Sequence, residues 1–114
     1  MKIVFISGRY SAATYLEVDE NIAECRKVAA WLAERGIGFW APHLHSAHFE
    51  AITPDVPNTF WRELDLKFLP VCDAMYMLSG WEESMGATAE RWAMLGLGKP
   101  VFQDLGPLER WAAS

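Results

Sequence analysis

The run Lys2-Ile3-Val4-Phe5-Ile6-Ser7 is apolar and rich in β-branched residues, and Gly8 stops it. A continuous apolar run of this kind predicts a strand buried on both faces, as in a parallel sheet covered by helices. Outward from it, strand and helix signals alternate. Asp19 is a good N-cap for a helix to about Arg35, with Ile22, Cys25, Ala29, Leu32 and Ala33 at helical spacing and Gly36 ending it. Ile37 to Ala41 predicts a short second strand halted by Pro42. Residues Pro42 to Asn58 read as a long irregular loop, and loops of that length are usually functional or mobile. Asn58 or Thr59 caps a helix to about Leu69, and Asp73 to Ser79 is a third strand. A helix from about Gly86 to Leu97, a strand Val101-Phe102-Gln103 and a short helix from Leu108 to Ala112 complete the order.

This β-α-β-α-β-α-β order predicts an α/β fold, a single domain over residues 1–114. The expected architecture is a three-layer Rossmann-like or flavodoxin-like sandwich with a parallel sheet of four to five strands. In such sheets ligands sit beyond the carboxyl ends of the strands. That rule points at Gly8 to Thr14, Pro42 to Asn58 and Gly80 to Gly86.

The net charge of -5, with no basic run, argues against a nucleic-acid polymer as partner, because neutralising its phosphates needs clustered Lys and Arg. A single nucleotide remains compatible, held by backbone N–H groups and one Arg. Cys25 and Cys72 fall in apolar periodic segments and read as buried free thiols, which suits a reducing, cytoplasmic setting. The apolar run at the N-terminus is too short for a signal peptide or a membrane span.

Glu90 is the most informative residue. On a helical wheel it falls inside the apolar arc, between Gly86, Ala93 and Leu97 on one side and Ala87 and Met94 on the other. A buried carboxylate is costly unless paired or neutralised. It is therefore either a structural partner of a buried Arg such as Arg9, or a functional group in a cleft. Asp65 lies between Trp61 and Leu69, at the margin of the Phe60, Leu64 and Phe68 stripe. It reads as a second catalytic candidate or as a boundary carboxylate. Gly8-Arg9-Tyr10-Ser11 follows the first strand. It offers backbone N–H groups and a bidentate Arg for a phosphate, or it is a plain turn. His43, His45 and His48 with Glu50 suggest a metal cluster, but zinc needs three or four convergent ligands, and no metal is expected here. His43, just after the second strand, is expected to face a ligand. Trp81 either stacks on a base or caps the core.

These pieces line up with a known group. Ile6-Ser7-Gly8, Asn21, Gly36 through Pro42, Asp65-Leu66, Cys72-Asp73-Ala74, Gly80-Trp81-Glu82-Glu83-Ser84-Met85-Gly86-Ala87-Thr88-Ala89-Glu90 and Gly98-Lys99-Pro100-Val101 resemble the nucleoside 2-deoxyribosyltransferase-like superfamily. The likeness is greatest to its DUF4406 branch. It implies a Rossmann-like sheet, a homo-oligomer (dimer or tetramer), no cofactor, and a small nucleoside or nucleotide as partner. It also implies Glu90 as nucleophile on the sugar's anomeric carbon, Asp65 as its assistant, and Ser7, Arg9 and Ser84 as phosphate-binding groups. Gly8, Tyr10, His43, Trp81 and Gly86 complete the expected substrate-binding set. Transferase members carry an Asp six residues before the nucleophile, where this chain has Ser84. That departure moves the expectation from base exchange toward hydrolysis or binding. The expected activity is therefore N-glycosidic cleavage of a nucleoside or nucleoside 5'-monophosphate, and the alternative is a non-catalytic nucleotide-binding module. Trp81, Trp92 and Trp111 are expected near a subunit interface.

Overall fold

The computed structural model describes residues 1–114. Strand β1 (Ile3–Ser7) leads to helix α1 (Tyr15–Glu34), strand β2 (Gly38–Trp40) and two one-turn helices, α2 (Pro42–His45) and α3 (Phe49–Ile52). Helix α4 (Asn58–Leu66) and a 3₁₀ turn (Leu69–Val71) precede strand β3 (Ala74–Met77). A second 3₁₀ turn (Trp81–Glu83) opens into helix α5 (Met85–Gly96), followed by strand β4 (Val101–Phe102) and helix α6 (Leu105–Ala113). All four strands are parallel in the order β2-β1-β3-β4. The expected α/β sandwich is what forms, with four strands.

Side-chain alternation along β1 divides the core. Val4 and Ile6 face one side, where Cys25, Val28, Ala29 and Leu32 of α1 and Leu108 of α6 cover them. Phe5 faces the other, with Met75, Met77, Leu69 and the α5 residues Ala87 and Met94. The strand order reverses at β1, so the chain leaves β1 toward α1 and leaves β3 toward α5. A crevice opens between the carboxyl ends of these two central strands, the usual ligand position in open α/β sheets.

Two local expectations are corrected. Helix α1 starts before Asp19. Thr14 is the cap, accepting from the Glu17 N–H at 3.2 Å and donating to the Glu17 carboxylate at 3.1 Å. This Thr14 cap, reinforced by the Glu17 carboxylate, starts the helix ahead of Asp19. The segment 42–58 is not irregular throughout, since Pro42 starts α2 at a position where its missing N–H costs nothing. No helix is long and apolar enough to cross a membrane.

Candidate active site

At the crevice lies a cavity of about 600 Å³, lined from four directions. The loop after β1 gives Gly8 to Thr14, α2 and α3 give His43 and Glu50, α4 gives Trp61, Arg62 and Asp65, and α5 gives Ser84, Gly86 and Glu90.

Glu90 reaches the cavity from the inner face of α5, 8% exposed. Its Oε1 accepts a 2.7 Å hydrogen bond from the hydroxyl of Ser7. Its Oε2 has no protein partner and is not sealed off. Burial pushes the Glu90 carboxyl up to about 7; the Ser7 hydrogen bond and the Arg62 charge pull it down, and the Asp65 charge adds to the rise. Asp65, 7% exposed, has a buried Oδ1 with no partner, and burial pushes it up to about 6. Both carboxyls line the same cavity, and burial raises both above the ordinary carboxylate range.

Arg9 is not the partner of Glu90. Its Nη1 lies 3.0 Å from Glu83 Oε2, and its Nε donates to the Ser11 carbonyl at 3.4 Å. Ser84 caps α5, its hydroxyl oxygen accepting from the Ala87 N–H at 3.1 Å. A methyl on Gly86 would meet only Ser84 Oγ, at 3.9 Å, so the space beside it is open cavity. Gly8 is different. A Cβ there would stand 2.6 Å from Leu78 Cβ, so close packing of the two strand ends requires glycine.

His43 is 3% exposed, and its Nε2 donates to the Arg9 carbonyl at 2.8 Å. A carbonyl only accepts, which fixes this nitrogen as N–H and leaves Nδ1 a bare, unpartnered acceptor. Burial lowers the His43 pKa, so the ring is held neutral. The Tyr10 hydroxyl donates to Glu50 at 2.8 Å and accepts from the His48 N–H at 2.7 Å. It thereby ties α3 over the loop after β1. Of the other two histidines, His45 packs on Trp40 and His48 Nε2 pairs with Asp19 at 2.9 Å. No three His, Cys, Asp or Glu side chains gather as a metal site.

Two expected site residues lie elsewhere. Ser7 is fully buried behind Glu90 and is absent from the cavity wall. Trp81 also leaves the wall. It packs against the α5-side core with Arg91 5.1 Å from its ring centre, because the 3₁₀ turn carries its side chain inward. Trp111 likewise packs on Phe102 rather than standing free, whereas Trp92 is exposed. Arg62, Trp61 and Phe49 line the cavity without having been singled out. Arg62 and Trp61 stand three and four residues before Asp65, the spacing that puts them on the same face of α4.

An open parallel α/β sheet with two sheltered carboxyls lining a cavity at its switch point defines a Rossmann-like domain. The chain belongs to the family described as "Domain of unknown function (DUF4406)", whose model matches residues 2–103. Among solved structures it shares its fold with a 2-deoxyribosyltransferase from the psychrotolerant bacterium Bacillus psychrosaccharolyticus. That match has a TM-score of 0.57 at 20% identity over 87% of this chain and 69% of the other. No curated protein matches.

Proposed function

We propose that this protein cleaves the N-glycosidic bond of a nucleoside or nucleoside 5'-monophosphate, with Glu90 as nucleophile. The observation that carries the reading is the Glu90 carboxylate itself. It is nearly buried, held by one oxygen and open to the cavity by the other. A purely structural carboxylate in an apolar helix face would have a cationic partner, and Glu90 has no salt-bridge partner. The shared fold with a deoxyribosyltransferase supports the same chemistry.

In this mechanism Glu90 Oε2 forms a bond to the anomeric carbon as the carbon–nitrogen bond breaks. The bonding pair goes to the base nitrogen, and Asp65 donates the proton that makes the base a better leaving group. Water then attacks the anomeric carbon, Asp65 takes back a proton, and Glu90 leaves as carboxylate. The transition state is oxocarbenium-like, so the buried negative charge at Glu90 attracts the reacting carbon most where its charge peaks. Hydrolysis is favoured over base exchange because Ser84, where transferases carry Asp, is occupied in capping α5. Trp61 and Phe49, 5.3 Å apart on the cavity wall, take the base-facing place that Trp81 leaves vacant. An assembly of two or four copies belongs to the same reading. Met85, Trp92 and Leu95 stand exposed along α5, and sedimentation of the purified protein measures the assembly directly.

The test is incubation with a panel of nucleosides and 5'-monophosphates, read by chromatography for released base. The wild type releases base and Glu90→Gln does not. Tight retention of intact nucleotide with no released base would favour a binding module instead.

A further inference from the structure

Alternation along β1 sends Phe5 and Ser7 to the face covered by α5, and Ser7 ends the strand there, 0% exposed. Its backbone is rigidly held. Ser7 pairs in register with Met77 of β3, and its carbonyl accepts from the Leu78 N–H at 2.8 Å. Its side chain has one polar partner, Glu90 Oε1 at 2.7 Å. An ionised carboxylate only accepts, so the hydroxyl donates, and O–H to carboxylate bonds are among the stronger kind. Ser7 takes no part in the cavity wall, so this hydroxyl is not available to a ligand.

We infer that Ser7 is a positioning residue for Glu90: it grips Oε1 from the floor of the sheet so that Oε2 alone is presented to the cavity. The inference rests on the reading of Glu90 as nucleophile. A glutamate has several rotatable bonds, and an untethered carboxylate would offer either oxygen from many directions. Anchoring one oxygen to a central strand paired on both sides leaves a single line of approach, and displacement of a reacting group by an ångström is enough to matter. The same hydrogen bond acts on charge. From α4, Asp65 disfavours ionisation of Glu90 and Arg62 favours it; from β1, Ser7 favours it, against the burial supplied by its packing. Ser7 thus aims a sheltered carboxyl and offsets part of the rise that burial imposes on it.

Ser7→Ala removes the hydroxyl without adding bulk, and Ser7→Cys keeps the shape with a much weaker donor. Carboxylate NMR of protein carrying isotope-labelled glutamate follows the Glu90 titration with no substrate present. In Ser7→Ala that titration moves to higher pH than in the wild type, with Ser7→Cys between them. The kcat for base release falls on the order of 10- to 100-fold while KM stays close to the wild-type value, and the acid limb of the pH profile moves with the titration. An unmoved Glu90 titration in a folded Ser7→Ala protein, or an unchanged kcat, overturns the positioning role. A wild type that releases no base counts against the nucleophile reading alone, because the titration needs no turnover.

Discussion

Arg9 and Glu83 face each other across the mouth of the cavity, with 3.0 Å between Nη1 and Oε2, and so link the loop after β1 to the turn before α5. The cation best placed for a ligand phosphate is thereby already partnered. Around the same cavity Glu50, Asp65, Glu83 and Glu90 outnumber Arg9 and Arg62. Removing the Glu83 charge frees Arg9. The affinity for a nucleoside 5'-monophosphate relative to the parent nucleoside is expected to rise in Glu83→Gln by roughly 2- to 5-fold, the scale of an exposed ion pair, and less at high salt. Calorimetric titration of both ligands against wild type and variant measures this. An unchanged ratio would mean that Arg9 does not meet the phosphate.

The buried carboxyls make stability depend on pH in a defined direction. Glu90 rises to about 7 and Asp65 to about 6 in the folded chain, above the ordinary carboxylate values. Between the ordinary and the raised values the folded state holds more protons than the unfolded one. Their contribution is therefore complete below the unfolded pKa and is lost as pH climbs through the folded one. Stability should fall between roughly pH 4 and pH 7 on their account. Glu90→Gln keeps an acceptor for Ser7 and removes the titration. It should be more stable than wild type at about pH 8, by roughly 3 kcal/mol, and no more stable at about pH 4. Urea denaturation at the two pH values provides the comparison, and a pH-independent difference would contradict the buried-acid account.

On the proposed reading the same two groups shape turnover: Glu90 acts ionised and Asp65 protonated, and they titrate at about 7 and about 6. The profile of kcat/KM against pH should be a bell with its maximum inside that interval, reporting the pair rather than either residue. Asp65→Asn abolishes the alkaline limb, because an amide does not lose its proton there. A profile that stays flat across the interval would remove both carboxyls from the reaction.

How far the sequence foretold this site depends on how regular each element is. Glu90 and Asp65 were legible because α4 and α5 are long enough for helical periodicity to place a carboxylate against an apolar face. The direction of Ser7 was equally available, since it shares the parity of Phe5, but a hydroxyl at a strand end reads just as easily as a ligand contact. Thr14-x-x-Glu17 was an available capping signal overshadowed by Asp19, which is used instead to hold His48. The strap carrying α2 and α3 was not legible. Four-residue helices are shorter than any periodic signal, and the left-handed His48, at φ 63°, sits where sequence favours glycine or asparagine. The choice between the two readings of Trp81, base stacking and core capping, was closed to the sequence for a related reason, since no spacing says which way a one-turn 3₁₀ segment points its rings.

Gly8 and Leu78 set the separation of the two central strand ends. A Cβ at residue 8 would lie 2.6 Å from Leu78 Cβ and 2.8 Å from Cδ1. The first contact is between atoms fixed by the backbone, so no rotamer change relieves it. Gly8→Ala is expected to cost about 2 kcal/mol, the scale of overpacking, and trimming the partner in Gly8→Ala/Leu78→Ala should not restore the loss. Chemical denaturation of the single and double variants decides this. Full recovery in the double variant would show that only the flexible end of Leu78 was in the way.

Gly86 lies in the first turn of α5, a helix whose N-cap, Ser84, is already satisfied. Its backbone is not in the left-handed region, and a methyl there meets no protein atom nearer than 3.9 Å. Nothing in the fold therefore demands glycine. The usual entropic cost of glycine in a helix then applies without compensation, and Gly86→Ala should stabilise the chain by about 0.5 kcal/mol, raising Tm by roughly 2–4 °C. The methyl projects into the cavity one turn before Glu90, where the sugar lies on the proposed reading. The same variant should bind substrate more weakly, and Gly86→Val more weakly still. Stability and affinity would then move in opposite directions from one substitution, which is the behaviour of a residue kept small for a ligand rather than for packing. Thermal melting and ligand titration on the same preparations test it. A stabilised Gly86→Val protein that binds as tightly as wild type would put the ligand elsewhere in the cavity.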